Sequence, residues 1–168
     1  MVARSVPGVT SVQTGFGPKY KAPSLYRDFD LEMPSKILLV DDEKEFVQTL
    51  SERLLARKME AAVAYNGEEA LSQVAADEPE VMVLDLKMPG IDGMEVLRRV
   101  RKERPNVEVI ILTGHGSGQD KALAEELGAF AYLEKPVDID VLTRTMKEAY
   151  RKIRESKADG ENSNKATG

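Results

Sequence analysis

The sequence predicts a doubly wound α/β fold, in which five parallel strands form one sheet and helices cover both of its faces. Three observations favour this fold. Short apolar runs alternate with helical patterns between residues 35 and 154. These runs are continuously apolar, which is typical of parallel strands that are buried on both faces. The connections between runs and helical patterns are short, as expected for right-handed crossovers within one parallel sheet.

Five strands are predicted from apolar runs that are too short to form helices. The second run is the weakest of the five. The predicted strands cover residues 36–40, 60–64, 81–84, 107–112 and 129–133. In sheets of this kind, ligands bind outside the carboxyl ends of the strands, so that edge is where a functional site is expected.

Helices are predicted where apolar residues recur at intervals of three and four. Asn66-Gly67 opens the second helix, which runs to about Ala76, and Asp92 is the expected N-cap of the third helix. Gly128 is expected to end the fourth helix. The apolar residues that mark the other helices are Phe46, Val47, Leu50, Leu54 and Leu55 in the first, Met94, Leu97 and Val100 in the third, Leu123 and Leu127 in the fourth, and Leu142, Met146, Ala149 and Ile153 in the last.

Composition excludes several kinds of site. The 168-residue chain has no cysteine, which excludes disulfides, thiolate metal sites and cysteine nucleophiles, and its one histidine excludes a multi-histidine metal site. A net charge of −5 without a long basic run disfavours direct nucleic-acid binding. No apolar run approaches the ~18 residues of a membrane span, and no signal peptide is visible. Membrane insertion is therefore not expected, and a cytoplasmic location is the default.

The chain divides into three unequal parts. Residues 1–34 carry four prolines and three glycines and are expected to form an irregular arm. Residues 35–154 form the predicted domain, and residues 155–168 are expected to be a polar, solvated tail. Four of the nine aromatic residues lie in the arm, at Phe16, Tyr20, Tyr26 and Phe29. The arm is either a docking peptide centred on YKAPSLYRDFD or a flexible leader.

Charged and hydroxyl side chains follow four of the predicted strands. Asp41 and Asp42 follow the first, Asp85 the third, Thr113 the fourth and Lys135 the fifth. Three carboxylates at one edge would repel one another and raise one another's pKa values. A hard cation such as Mg²⁺, which takes carboxylate and water oxygens, would resolve this repulsion. A carboxylate held in that way can act as a nucleophile on phosphorus, and Asp85 is the candidate.

Four motifs in order resemble the receiver domain of bacterial two-component response regulators. They are Asp-Asp at 41–42, Asp85 before the Met-Pro-Gly of 88–90, Leu-Thr-Gly at 112–114 and Lys-Pro at 135–136. The resemblance covers residues 35–154. It implies a flavodoxin-like sheet with strand order 2-1-3-4-5.

The resemblance also implies the roles of the acidic residues and Lys135. Asp85 would accept a phosphoryl group from the histidine of a sensor kinase. Mg²⁺ would be bound by Asp42 and Asp85 directly, by Asp41 largely through water, and by the backbone carbonyl of Lys87. Lys135 would pair with the acceptor carboxylate and then with the phosphoryl oxygens.

Two further residues resemble the switch of the family. Thr113 would move its hydroxyl towards the phosphoryl group, and Tyr132 would turn inward behind it. The readout surface would comprise the fourth helix, the fifth strand and the fifth helix, about residues 115–153. The peptide bond between Lys135 and Pro136 is expected to be cis, although an isolated X-Pro bond favours trans by ~0.5–1 kcal/mol. His115 and Lys87 would flank the phosphoryl group and affect its lifetime, or simply be exposed polar side chains.

The implied partners are a sensor histidine kinase or phosphotransfer protein and an unidentified downstream protein. Homodimerisation through the readout surface is plausible. No output domain is expected after Ile153, so the chain would be a single-domain regulator or a receiver cut from a longer protein. It is not expected to be an enzyme beyond accepting and losing its own phosphoryl group.

Three alternatives stay open at this point. Asp41 and Asp42 could merely cap the first helix. The chain could be a receiver-like scaffold that never accepts phosphate. It could also be a phosphatase of the haloacid dehalogenase type, but that family has an aspartate two residues after the nucleophile, where this chain has Lys87.

Overall fold

The structure, a computed structural model, describes residues 32–166, with side chains described as far as residue 161. The predicted arm lies outside the described residues except for 32–34, and so does its aromatic segment. Five parallel strands form one sheet in the order β2-β1-β3-β4-β5, which confirms the predicted fold. The strands are β1 (Ile37–Val40), β2 (Ala61–Ala64), β3 (Val81–Leu84), β4 (Glu108–Thr113) and β5 (Ala131–Glu134).

Helices cover both faces of this sheet, as the sequence predicts. They are α1 (Lys44–Leu55), α2 (Gly67–Ala76), α3 (Gly93–Glu103), α4 (Gly118–Glu126) and α5 (Ile139–Ala166). Side chains of α2, α3 and α4 pack on one face, where Leu38 and Val40 of β1 point. Side chains of α1 and α5 pack on the other face, with Ile37 and Leu39. This alternation follows from the two-residue period of a strand.

Strand register brings the carboxyl ends of β1 and β3 to the same level, while β4 extends two residues further, to Thr113. Val40 pairs with Leu84, and Leu84 pairs with Ile111. The ladder continues for one more residue, because the backbone N–H of Asp85 donates to the carbonyl of Val40 at 3.0 Å. The side chains that follow these strands therefore start from one edge of the sheet.

Two helices begin directly after the polar residues that the sequence marks as their starts. The Asn66 side chain accepts from the N–H of Glu69 at 2.8 Å, and Asp92 accepts from the N–H of Glu95 at 3.0 Å, which confirms both as N-caps. Gly128 has φ +97° directly after the last turn of α4, the left-handed conformation expected of a glycine that ends a helix.

Two helices differ from expectation. Ala124 is the buried residue of α4, whereas Leu123 is 42% exposed, because the small alanine takes the position that faces the sheet. Helix α5 continues to Ala166 instead of giving way to a polar tail at residue 155. Its buried residues end at Ile153, and residues 154–161 are exposed. Extending an existing helix costs far less than nucleating one, so a polar segment can follow as helix. No helix in residues 32–166 is long and apolar enough to cross a membrane.

Glu95 in the first turn of α3 should contribute stability that depends on pH. Hydrogen bonds from Arg98 and Arg99, at 2.6–2.9 Å, lower the pKa of Glu95 to about 2. A depressed pKa stabilises the fold above the unfolded pKa of about 4.3, and the effect is lost as pH falls towards 2. We therefore expect Glu95→Gln to lower the free energy of unfolding at pH 7, measured by urea unfolding.

The difference between Glu95→Gln and the parent should shrink as pH falls from about 4 to about 2. It should also shrink in about 1 M salt, because exposed ion pairs are screened. A difference that is independent of both pH and salt would show that charge is not its source.

Candidate functional site

Three aspartates meet at the carboxyl edge of the sheet. Asp41, Asp42 and Asp85 each offer a carboxylate oxygen, and these oxygens all lie within 4.8 Å of one another. Asp41 and Asp85 are buried, with 4% and 3% exposure, and Asp42 is the more accessible to solvent. The structure thus brings together the acidic residues that the sequence assigns to a metal site.

This cluster fits a hard divalent cation. Asp85 Oδ1 is buried, and within the described part of the chain it has no hydrogen-bond partner. A buried, unpaired polar oxygen is costly, and an adjacent cation would remove that cost. Mg²⁺ takes oxygen ligands, usually one or two carboxylates together with water and phosphate oxygens, and this cluster can supply those carboxylates. The predicted contribution of the Lys87 carbonyl stays a prediction.

Asp41 is not the side-chain cap of α1. The N-cap is Glu43, which makes no side-chain cap hydrogen bond, while Asp41 Oδ1 accepts from the N–H of Glu43 at 2.9 Å. The capping interpretation of the Asp-Asp pair is therefore wrong for α1. Asp41 instead tightens the turn that leads from β1 into the helix and directs its other oxygen into the site.

Lys135 reaches the site. The resemblance implied that it would pair with Asp85, but its hydrogen bonds go to two other carboxylates. Its Nζ donates to Asp41 Oδ2 at 2.6 Å and to Glu43 Oε1 at 2.9 Å. The ammonium also lies 4.1 Å from the ring centroid of Phe46. Two carboxylates and an aromatic face stabilise the ammonium more than one carboxylate would. Lys135 therefore lies against Asp41, Glu43 and Phe46 and not against Asp85. Glu43 carries no sequence signal for this contact other than its position directly after the Asp-Asp pair.

The charges of Asp41 and Lys135 depend on each other. Burial raises the pKa of Asp41, and hydrogen bonds from Lys135 and from the backbone of Glu43 offset this only in part. Burial lowers the pKa of Lys135, but its hydrogen bonds to Asp41 and Glu43 outweigh that and hold the pKa above its ordinary value. Lys135 therefore carries a full positive charge beside the carboxylates.

Thr113 and Tyr132 lie next to each other at the other end of the site. Thr113 ends β4 with 1% exposure, and its Oγ1 accepts from the N–H of His115 at 3.3 Å. The Tyr132 hydroxyl is buried, and among the described residues it has no hydrogen-bond partner. Burial raises the pKa of Tyr132, and the charges of Asp120 and Glu134 raise it further.

The expected role of Lys87 and His115 beside the phosphoryl group stays a prediction. Lys87 is 55% exposed, and its Nζ lies 4.0 Å from Asp120 Oδ2 on α4. His115 is exposed and adds to the lowering of the pKa of Glu43, behind the larger effect of Lys135. The bond between Lys135 and Pro136 is cis, as predicted.

Sequence comparisons relate the chain to known response regulators. A family model for the response regulator receiver domain matches residues 37–147. The transcriptional regulatory protein GlrR of Escherichia coli (strain K12) is 35% identical over 116 residues, which cover 69% of this chain and 26% of GlrR. Response regulator MprA of Mycolicibacterium vanbaalenii is 33% identical over 129 residues, which cover 77% of this chain and 56% of MprA.

A solved structure shows the same fold. It is the crystal structure of a CheY-like response regulator receiver domain protein from Methanospirillum hungatei JF-1. Its TM-score is 0.70 at 27% identity, and the match covers 73% of this chain and 98% of that one. The chain spans only about a quarter to just over half of the curated relatives' own lengths.

Proposed function

Because this chain belongs to the response regulator receiver domain family, we propose that Asp85 accepts a phosphoryl group from a sensor histidine kinase or a phosphotransfer protein. The observation that carries the proposal is the setting of Asp85. Its Oδ1 is buried without a hydrogen-bond partner in the described residues, next to two further aspartates. Such an oxygen has no hydrogen bond to give up when it forms a new bond.

Mg²⁺ would be held by Asp42 and Asp85, by Asp41 through water, and by the Lys87 carbonyl. When bound, it would neutralise negative charge on the carboxylates and on the phosphoryl oxygens. An Asp85 oxygen would attack phosphorus, and the phosphorus–nitrogen bond of the donor histidine would break with its electron pair going to nitrogen. The product is an acyl phosphate on Asp85.

Lys135 supplies the charge that the product needs. The phosphoryl group carries about 1.5 to 2 negative charges on the scale of phosphate esters, in place of the single charge of the Asp85 carboxylate. Lys135 already lies within hydrogen-bond distance of Asp41. Transfer of its ammonium from Asp41 and Glu43 towards the phosphoryl oxygens would stabilise the phosphorylated state.

Thr113 and Tyr132 would pass the change to the surface of α4, β5 and α5. The Thr113 hydroxyl would donate to a phosphoryl oxygen, which shifts the loop after β4. Tyr132 would respond because its ring lies beside that loop. Phosphorylation would thus favour the state that contacts the phosphoryl group better, in the cytoplasm, and a downstream protein or a second copy of the chain would bind that surface.

Acetyl phosphate tests the proposal. With Mg²⁺, we expect the protein to gain the mass of one phosphoryl group in intact mass spectrometry, and to lose this adduct entirely in Asp85→Asn. Asp92→Asn is the matched control, since asparagine caps a helix as well as aspartate does and Asp92 lies outside the acidic cluster. This variant should be phosphorylated like the parent.

Other outcomes distinguish the alternative functions. No adduct on the parent protein would favour a scaffold that binds partners without phosphorylation. Rapid turnover of many phosphate esters would favour a phosphatase of the haloacid dehalogenase type. The second alternative is the weaker one, because the position of that family's acid–base aspartate is occupied by Lys87, whose side chain is 55% exposed.

A further inference from the structure

Gly116, in the loop between β4 and α4, lies directly against the hydroxyl of Tyr132. A Cβ placed on Gly116 would overlap the hydroxyl oxygen of Tyr132. It would also lie 2.9 Å from Tyr132 Cζ and 3.0 Å from Thr113 Cγ2. The hydroxyl therefore occupies the space in which any other residue at 116 would have its side chain.

Neighbouring glycines in this region do not share this property. A Cβ on Gly114 would lie 3.7 Å from Lys135 Cβ, an ordinary van der Waals contact, and a Cβ on Gly118 would meet no atom within 4 Å. Positive φ does not explain Gly116 either, since the glycines with positive φ in the described residues are Gly90 and Gly128. Glycine is therefore needed at 116 because it has no side chain, and not because of its backbone conformation.

We propose that Gly116 is a positioning residue that admits the Tyr132 hydroxyl to its buried place under the loop. Residue 116 thus sets the orientation of the tyrosine on the surface formed by α4, β5 and α5. The consequence for signalling rests on the proposed function, but the steric relation between the two residues does not.

The tyrosine, and not the loop, should yield when a side chain is added at 116. The loop is held on both sides. The N–H of His115 donates to Thr113 Oγ1 at 3.3 Å, and the N–H of Asp120 donates to Ser117 Oγ at 3.1 Å in a capping box. The Tyr132 ring is half-buried, and its hydroxyl would lose no hydrogen bond with a described residue by turning outward. Outward rotation would let that hydroxyl bind water, which removes the cost of an unpaired buried group.

The orientation of the tyrosine should also affect phosphorylation. If the phosphorylated state requires the buried hydroxyl, then an outward tyrosine must oppose phosphorylation to the same degree, because coupling between sites is reciprocal. Gly116→Ala should therefore raise the acetyl phosphate concentration needed for half-maximal phosphorylation by roughly five-fold or more.

Fluorine NMR of protein labelled with 3-fluorotyrosine measures the orientation directly. The chain has five tyrosines, and Tyr132→Phe assigns the signal of interest. In Gly116→Ala we expect that signal to move by more than its line width and to show the H₂O-to-D₂O shift of an exposed ring. Gly118→Ala is the matched control and should leave it in place. An unmoved signal in Gly116→Ala, or an equal movement in Gly118→Ala, would overturn the inference.

A double variant covers the case in which Gly116→Ala does not fold. Removing the ring with Tyr132→Ala should remove the clash, so Gly116→Ala combined with Tyr132→Ala should fold with the Tm of Tyr132→Ala alone. If the double variant also fails to fold, the clash is not with Tyr132 and the inference is wrong.

The two proposals fail in different ways. A moved tyrosine signal together with no phosphoryl adduct on the parent protein would refute the proposed function and support the role of Gly116. An adduct on the parent together with an unmoved tyrosine signal in Gly116→Ala would support the proposed function and refute the role of Gly116.

Discussion

Replacing Lys135 by methionine is expected to lower the free energy of unfolding by about 3–5 kcal/mol at neutral pH, because it leaves a buried carboxylate without its counter-ion. Asp41 is 6% exposed at its side chain, and the Lys135 ammonium lies 2.6 Å from its Oδ2. Methionine keeps a similar length of apolar side chain, so the change removes mainly the charge. Urea unfolding of metal-free protein, with a chelator present, measures the loss.

The penalty in Lys135→Met should depend on pH in a known direction. Burial already raises the pKa of Asp41, and removal of Lys135 should raise that pKa further. A raised carboxyl pKa stabilises the fold below the unfolded value of about 3.9 and loses this contribution as pH rises through the folded value. The variant should therefore be most impaired at neutral pH and recover as pH falls towards 4.

Lys87→Met is the matched control for Lys135→Met. The Lys87 side chain is 55% exposed, and its Nζ lies 4.0 Å from Asp120 Oδ2. An exposed pair of this kind contributes at most about 1 kcal/mol, so this variant should unfold like the parent. Equal effects of the two substitutions, or no effect of either, would contradict the inference that Lys135 compensates Asp41.

Replacing Gly93 by alanine is expected to lower the free energy of unfolding by about 2–4 kcal/mol in total. This is more than most overpacking substitutions cost. A Cβ on Gly93 would overlap the backbone carbonyl oxygen of Asp85 and lie 2.7 Å from the Cα of Leu86. These are backbone atoms, and the N–H of Gly93 also donates to the carbonyl of Leu86 at 3.0 Å. Relieving the clash requires the backbone of Asp85 and Leu86, or the start of α3, to move.

Gly93→Ala should for this reason also impair phosphoryl acceptance, measured as the mass adduct from acetyl phosphate at a temperature where the variant is folded. Gly118→Ala is a close control, because Gly118 is the first residue of α4 just as Gly93 is the first residue of α3. With no atom near its added Cβ, it should be as stable and as readily phosphorylated as the parent. A stable, fully phosphorylated Gly93→Ala protein would show that this close approach does not position Asp85.

Periodicity and capping chemistry made most of the fold predictable. Continuous apolar runs identified the strands, because parallel strands buried on both faces have no polar side to interrupt them. Asn66 and Asp92 marked two helix starts correctly. A capping side chain accepts from the backbone N–H three residues later in the chain, so the interaction is complete within one helical turn and can be recognised from a short stretch of sequence. The strand order came from resemblance to a family, whereas the residues at the carboxyl edge followed from where each predicted strand ends.

Local pattern predicted the extent of helices less well. The polar residues after Ile153 carry no apolar stripe, so they resembled a tail although α5 continues through them. Leu123 was assigned to the apolar face of α4, where Ala124 is the buried residue. A helix of nine residues has too few turns for its spacing to separate adjacent faces.

The sequence by itself determined which chemical groups stand at the edge of the sheet: Asp41, Asp42, Asp85, Thr113 and Lys135 each follow or end a strand. Only the tertiary structure decided which of them touch. Lys135 has a long side chain with several carboxylates in reach, and the one it pairs with depends on where α1 places Glu43 and Phe46. Gly116 and Tyr132 lie on different segments, and their contact exists because β4 and β5 are neighbours in the sheet. Local interactions are encoded along the chain, whereas distances between segments arise only when the whole core packs.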